Sequence, residues 1–490
     1  MRVRRYALLA APLAIVQSVV AYGADTTSNQ PPANAAVENS GACGDYGPDF
    51  MYLEHASTCL RIGGLVRVQG QYNPGHDIYN VATGKISQLG SAQDTTGLEV
   101  RGRIDLDSRT ETAWGTVQTV VWLRGTNTDG LRNTAASSQF APSVSPAGNG
   151  ATTITMERAF VNFAGLNVGV DSEHFSTIPD YMFGPAVYAG FPNGVKQIGY
   201  TADVGGGFSS YVALQSKSDL GGNSVTAGDG SPLGPSAVPY ATSVQYNNQL
   251  DNSAVLIGTL RDEAKWGFLQ GNVALANNTI NGTTLTSTYN PLNSSKSYLA
   301  WAAGFSGRYK MPFIAPGDEL HFQFAYANGL IGLVKSTGSL NDFSDATMKR
   351  GVGGVITVPQ NMIPTTVTSS GAVTSAGQSS AYGVMAMYTH YWSPRWRTNA
   401  DVGYMQIVMP KAYSNGVGAG LNTQEGNANV FVTGANLIWS PSRGWDIGLE
   451  LDYMRLDQTI QNPDAAFIAA GSPGLTGDAI SVILRFNRTF

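Results

Sequence analysis

Along most of this chain, apolar and polar residues alternate with a period of two. Leu98, Val100, Ile104 and Leu106 interleave with Glu99, Arg101, Arg103, Asp105 and Asp107. In an extended strand such a pattern puts the two sets on opposite faces, whereas a helix would mix them around its circumference. The alternation recurs through Leu60–Gln69, with Leu65 as the exception. It recurs in Leu320, Phe322, Phe324 and Tyr326 against His321, Gln323 and Ala325, and in Ile447, Leu449, Leu451 and Tyr453 against Asp446, Gly448, Glu450 and Asp452. The last stretch sets Ile480, Val482, Leu484 and Phe486 against Ser481, Arg485 and Asn487, with Ile483 out of phase. The pattern predicts strands over about 60–72, 97–108, 113–125, 153–163, 166–174, 195–203, 207–216, 252–262, 266–276, 297–310, 318–328, 381–392, 396–406, 429–439, 445–457 and 477–490. Pro239–Asn247 is assigned to a loop, because a further strand would make the number odd and bacterial barrels have even numbers.

A soluble sandwich also alternates, so the pattern alone does not choose a fold. Three further features do. The strands run about ten residues, the length that crosses a bilayer when tilted. Trp392, Trp396, Trp439, Trp445, Tyr453 and Phe490 collect near strand ends, as in interfacial girdles. Short turns such as 393–395 and 440–444 alternate with long segments rich in Gly, Ser, Thr and Asn at about 73–96, 126–152, 217–250, 277–296, 329–380, 407–428 and 458–476. Beyond the N-terminus no apolar run is long enough for a spanning helix, so a membrane form must be a closed barrel. The expected fold is all-β: a transmembrane antiparallel β-barrel of about sixteen strands, with long extracellular loops.

The N-terminus reads as an export signal. Arg2, Arg4 and Arg5 precede an apolar stretch from Ala7 to Val20, and Ala21-Tyr22-Gly23 places small residues before a cut at Ala24. Residues 1–23 contain three arginines and no acid, so cleavage moves the net charge from −5 to −8. Residues 24–59 are expected to form a periplasmic leader ahead of the barrel at 60–490. Cys43 and Cys59 are the only cysteines. An oxidising periplasm favours a disulfide between them, worth roughly 3 kcal/mol in the chain-entropy model. The alternative, a redox or metal pair, lacks a C-x-x-C spacing.

Composition narrows the function classes. Charged residues make up 13% of the 490 and glycines number 58, and the formal charge is −5. That balance argues against a nucleic-acid partner, which calls for a basic face. The 42% hydrophobic content excludes a disordered chain. The five histidines have no ligand spacing, Gly416-Val-Gly418-Ala-Gly420 has no strand–helix context, and no G-x-S-x-G elbow occurs. No catalytic, metal or cofactor site is expected.

If the apolar set faces lipid, the polar set lines the lumen, and sixteen strands are wide enough to leave an aqueous channel. Arg61, Arg67, Arg101, Arg103 and Arg158 then form a basic group on the first four strands, with Arg101 and Arg103 projecting to the same side. Residues 175–194 differ from the other connections. They are strongly apolar and aromatic, with Asp180, Tyr181 and Tyr188 among them. Such a segment is expected to fold into the barrel and narrow it, with Asp180 and Glu173 facing the arginines. A transverse field of that kind would orient dipolar solutes. The other outcome is a loop packed on the rim or at a subunit contact.

The segment Cys43-Gly-Asp-Tyr-Gly47-Pro-Asp-Phe50-Met-Tyr52, followed by Thr58-Cys59-Leu60-Arg61-Ile62-Gly63-Gly64-Leu65-Val66-Arg67, resembles the opening of the alphaproteobacterial general porins. Met156–Gly169 resembles that family's paired strands before its constriction loop, and Asp262–Gly267 loosely resembles its acidic turn into a Trp-Gly strand start. The terminal Phe490 matches the signature read by the barrel-assembly machinery. Two stretches depart from the family. Glu54–Thr58 replaces a Pro-Gly-Thr, and Val170–Phe175 replaces a basic residue followed by Ser-Phe-Phe-Asp, putting acids where the family has a constriction base. The resemblance implies a sixteen-stranded homotrimer in the outer membrane, in contact with lipid and lipopolysaccharide, that lets ions and small hydrophilic solutes diffuse passively. The alternatives are a solute-specific channel with Tyr181 and Tyr188 as a binding track, and a surface or adhesive barrel that anchors the loop at 329–380.

Overall fold

The computed structural model describes residues 43–47, 49–72, 77–80, 85–88, 96–129, 151–184, 194–216, 243–247, 254–285, 289–334, 362–367, 373–411, 424–461 and 474–490. The expected signal peptide and the first part of the leader lie outside these residues.

Sixteen strands follow one another round a closed antiparallel barrel. They are Thr58–Tyr72, Thr96–Thr112, Gly115–Thr128, Ala151–Phe163, Leu166–Asp171, Val195–Gly205, Phe208–Ser216, Ala254–Ala264, Gly267–Leu285, Tyr289–Lys310, Glu319–Asn328, Ser380–Ser393, Trp396–Val408, Gln424–Ser442, Trp445–Gln461 and Gly474–Thr489. Each pairs with its neighbour in sequence, and the first closes on the last in the register Leu65↔Thr489 to Tyr72↔Val482. Closure leaves no unpaired edge for lipid. Ser243–Asn247 is a short strand outside the ring, paired to Asn281–Leu285.

The two faces separate as the alternation requires. Ile62, Val66, Val100 and Ile104 are exposed on the outer surface, while Arg67, Gln69, Glu99 and Arg103 are buried inside. The seam is tight at Gly64. Its backbone exchanges hydrogen bonds with Phe490 at 3.0 and 3.1 Å. A Cβ there would lie 2.3 Å from the Arg103 carbonyl and 2.9 Å from the Phe490 ring. Only glycine lets the C-terminus lie across the first strand.

Four of the long connections depart from the expectation: Asp77–Asn80 pairs with Lys85–Gln88 within 73–96, Ser243–Asn247 lies within 217–250 where a loop is expected, and 277–296 and 329–380 carry further strands. The segment 277–296 is not a free polar loop. The ninth and tenth strands continue through it as a hairpin, with Thr283 opposite Pro291 and Leu285 opposite Tyr289. Ser243–Asn247 adds a further antiparallel partner there. The segment 329–380 holds a hairpin of Met362–Val367 with Val373–Gln378, and its first residues are buried.

Cys43 and Cys59 form a disulfide. With Phe50 and Tyr46 they make a small apolar knot beside the start of the first strand. Arg109 lies over the Tyr46 and Phe50 rings at 5.3 and 4.9 Å, and Asp107 joins Arg109 to Arg61 at 3.1 and 3.4 Å. In the turn before the eleventh strand, Asp318 accepts hydrogen bonds from Tyr388 Oη at 2.6 Å and the Tyr391 N–H at 2.9 Å, and lies 2.8 Å from His390 Nδ1. Burial alone would raise its carboxyl. The bonds from Tyr388, His390 and Tyr391 outweigh that and hold it below the ordinary carboxylate value.

Candidate functional site

The interior charges arise from the register. Pairing of the first two strands sets Arg67 opposite Arg101, Leu65 opposite Arg103 and Gln69 opposite Glu99. Pairing of the second and third sets Arg103 opposite Arg124. Because side chains alternate across a sheet, these residues share the inner face. Each basic group but two meets an acid: Arg101 with Glu99 at 2.9 Å, Arg103 with Asp105 at 2.6 Å, Arg103 and Arg124 with Glu157 at 3.5 and 3.6 Å, and Arg158 with Asp171 at 3.6 Å. Arg103 also lies over the Trp122 ring at 4.1 Å. Glu157 reaches this wall through a register shift, in which Trp122 faces Arg158 while Leu123 faces Met156.

Arg67 and Arg485 are the exceptions. Both are buried, and neither has a carboxylate within ion-pair distance among the described residues. Arg67 Nε donates to Asn487 Oδ1 at 3.5 Å, and Arg485 lies 3.5 Å above the Phe183 ring.

Phe183 belongs to the connection between the fifth and sixth strands, which runs inside the barrel. It turns in at Glu173, whose carboxylate accepts the Phe175 N–H at 2.6 Å and the Ser176 N–H at 2.9 Å. His174 stacks on Tyr211 of the seventh strand at 3.8 Å, and its carbonyl accepts from Gln270 Nε2 of the ninth. Ser176 Oγ and the Thr177 N–H donate to Gln323 of the eleventh strand. Tyr181 Oη donates to Glu319 at 2.9 Å, and the Tyr181 carbonyl accepts from Asn436 of the fourteenth strand at 3.2 Å. At the far wall Glu450 accepts the Phe183 N–H at 2.7 Å and the Gly184 N–H as well. A Cβ on Gly184 would lie 2.2 Å from Asp452, so glycine is required for this approach.

The segment 172–184 thus crosses the lumen from the fifth strand to the fifteenth. Asp180 lies on it close enough to interact electrostatically with both Arg67 and Arg485. Glu173 does not reach the arginines: both its oxygens serve the turn of its own loop. Desolvation explains this, since a carboxylate buried at a chain reversal is satisfied most cheaply by the free backbone N–H groups beside it. Tyr188 lies outside the described residues. Arg61 sits apart from the group, beside the disulfide knot.

Sequence reasoning missed Arg124, Glu157 and Arg485. Arg124 and Arg485 were legible as polar members of alternating strands. Glu157 was not, because the register shift that brings it inward leaves no mark on the pattern.

Residues 31–474 match the family described as the Porin subfamily. The chain belongs to that family. The porin is 30% identical over 217 residues to porin Omp2a of Brucella melitensis, covering 42% of this chain and 54% of that one. It is 27% identical over 270 residues to porin Omp2b of Brucella canis, covering 54% of this chain and 64% of that one. The matched regions thus span between about half and two thirds of those curated relatives. Its fold is similar to that of the outer membrane channel DcaP of Acinetobacter baumannii, with a TM-score of 0.53 and 14% identity over 89% of this chain and 98% of that one. That similarity concerns fold alone. With the barrel and the family together, the porin is a protein of the outer membrane.

Proposed function

We propose that this porin is a channel for passive diffusion of ions and small hydrophilic solutes, with the segment 172–184 as its constriction loop. The observation that carries this reading is the placement of that segment across a sixteen-stranded barrel, opposite a wall bearing Arg67, Arg101, Arg103, Arg124, Arg158 and Arg485. Selectivity arises collectively from such charged walls. Most of these arginines are neutralised by a neighbouring acid within the wall. Arg67 and Arg485 are left to face the loop, so their charge and that of Asp180 set the field across the opening. A dipolar solute would pass with its negative end toward the wall.

The rest of the reading follows the family. The porin is a homotrimer seated among lipid and lipopolysaccharide, delivered through a cleaved signal peptide at residues 1–23 and inserted by the barrel-assembly machinery, which reads Phe490. The Cys43–Cys59 knot lies at the periplasmic mouth, on the side of the short turns. Tyr181 is a loop anchor rather than part of a solute track, because its hydroxyl is committed to Glu319.

The test is a planar-bilayer recording of refolded protein under a salt gradient. Conductance steps in groups of three are expected, with a reversal potential that moves toward cation preference in Arg67→Gln/Arg485→Gln. A silent bilayer with a folded barrel, shown by heat-dependent gel mobility, would sink the proposal.

A further inference from the structure

A water-filled lumen should be polar all round, and this one is not. From the eighth strand to the fifteenth, the inner face carries apolar side chains, among them Ile257, Ala302, Met385, Met405, Val432 and Met454, all essentially inaccessible. Two inward segments lie in the same apolar cluster. One is the constriction loop, through Phe175, Ile178 and Met182. The other is Gly329–Val334, the first six residues after the eleventh strand, where Leu330, Ile331, Leu333 and Val334 are all buried.

The inward turn is built into the chain. Gly329 has a φ of +76°, and a Cβ there would lie 2.1 Å from Gln378 Oε1 and 2.6 Å from Asn278 Nδ2. The Gly329 N–H donates to the Ser379 carbonyl at 2.8 Å, and its own carbonyl accepts from Asn278 Nδ2 at 2.7 Å. Past this point the chain closes a tight turn, with Leu333 N–H to Leu330 O and Val334 N–H to Ile331 O, both at 3.0 Å. Such a turn satisfies its own backbone where no water is at hand. Methionines on the facing wall adapt to an irregular partner surface.

We infer that Gly329–Val334 is a second pore-narrowing element: an apolar plug that fills the lumen beside the eighth to fifteenth strands and confines solutes to the arginine-bearing wall. The inference deepens the channel reading and rests on it for its transport consequence, but its geometry can be tested without transport. The plug explains why the far wall tolerates alanine and methionine: that wall meets protein, not water. It also gives the size limit two determinants, the constriction loop and the plug, which share one apolar cluster.

The first measurement is cysteine reactivity in the full-length protein. No free cysteine is present to interfere. Ala381→Cys, buried in the same apolar cluster and paired to Ala327 two residues before the inward turn, should react slowly with a water-soluble maleimide in the folded barrel. Adding Ile331→Asp/Leu333→Asp, which makes burial of the plug unfavourable, should speed labelling by at least about tenfold. Fast labelling of Ala381→Cys with the native plug would overturn the inference. The second measurement is conductance and polymer exclusion in bilayers. The double aspartate variant should conduct more and admit larger polyethylene glycols than the native protein, at unchanged heat-dependent gel mobility. Equal conductance and equal exclusion from folded barrels would also overturn it. Should the aspartates block folding, Ile331→Ala/Leu333→Ala carries the same readouts. A native protein that is silent in bilayers but protects Ala381→Cys would refute the channel reading and leave the plug standing.

Discussion

Removing the Glu450 carboxylate should free the tip of the constriction loop. Glu450 accepts the N–H groups of both Phe183 and Gly184, and no other acceptor for them is present among the described residues. Hydrogen bonds to a charged acceptor are worth about 1.5–3 kcal/mol each, so two give roughly 3–6 kcal/mol. Glu450→Ala also relieves the cost of keeping a carboxylate buried, which offsets part of that gain. A net loss of about 2–4 kcal/mol shifts the population of docked tip by about 30- to 1000-fold. The rest of the loop stays held by Tyr181 on Glu319, Asn436 on the Tyr181 carbonyl and Ser176 on Gln323. The change is therefore local. Single-channel recordings of Glu450→Ala should show excess open-channel noise and brief conductance changes, while the barrel unfolds at the native temperature. Glu450→Gln keeps one acceptor oxygen and should be quieter than the alanine. An open state of Glu450→Ala as quiet as the native one, at the same conductance, would refute the idea that these two bonds hold the tip.

Three other predictions follow from the fold. Phe490→Ala should lower insertion yield while leaving the assembled barrel within about 0.5 kcal/mol of native stability, because the ring is exposed; comparing membrane-inserted protein with the heat-modification temperature of the purified fraction checks this. Asp318→Ala should destabilise the barrel by about 1–3 kcal/mol by stranding Tyr388 and the Tyr391 N–H. Since the folded carboxyl is held below its unfolded value, its contribution is fully present above about pH 4 and fades as pH falls through the depressed value; a native pH profile in Asp318→Asn would contradict that. Cys43→Ser/Cys59→Ser should expose the segment 43–57 to proteolysis without unfolding the barrel, for a loss of about 3 kcal/mol confined to the knot; mass spectrometry after limited digestion locates the cuts.

Most of the barrel was legible in the alternation itself. A membrane barrel has lipid on one face along nearly its whole height, so each strand declares its own phase, and all sixteen predicted strands overlap observed ones. The turn positions follow from the same cause. The inward course of 172–184 could also be read, because an aromatic segment between two strands has no stable place in water. By the same argument Gly329-Leu-Ile-Gly-Leu-Val334 should have been read as a second inward segment. It was hidden in a long connection otherwise rich in Gly, Ser and Thr.

The sequence could not decide what the inner face meets. Alternation reports which residues avoid lipid, and the inner positions are free to be polar against water or small and apolar against another piece of chain. That choice depends on which loops fold inward, a contact between residues more than a hundred positions apart, such as Phe183 and Glu450. Register decides the remaining details. A single-residue shift between Trp122 and Leu123 brings Glu157 onto the wall, and the closing pair of first and last strands sets Arg485 near Arg67. By itself the sequence determined the barrel and its strand count. Only the tertiary structure decided which arginines keep a partner, where Glu173 spends its charge and how much of the lumen is filled, because each of these depends on chain segments that meet only when the ring closes.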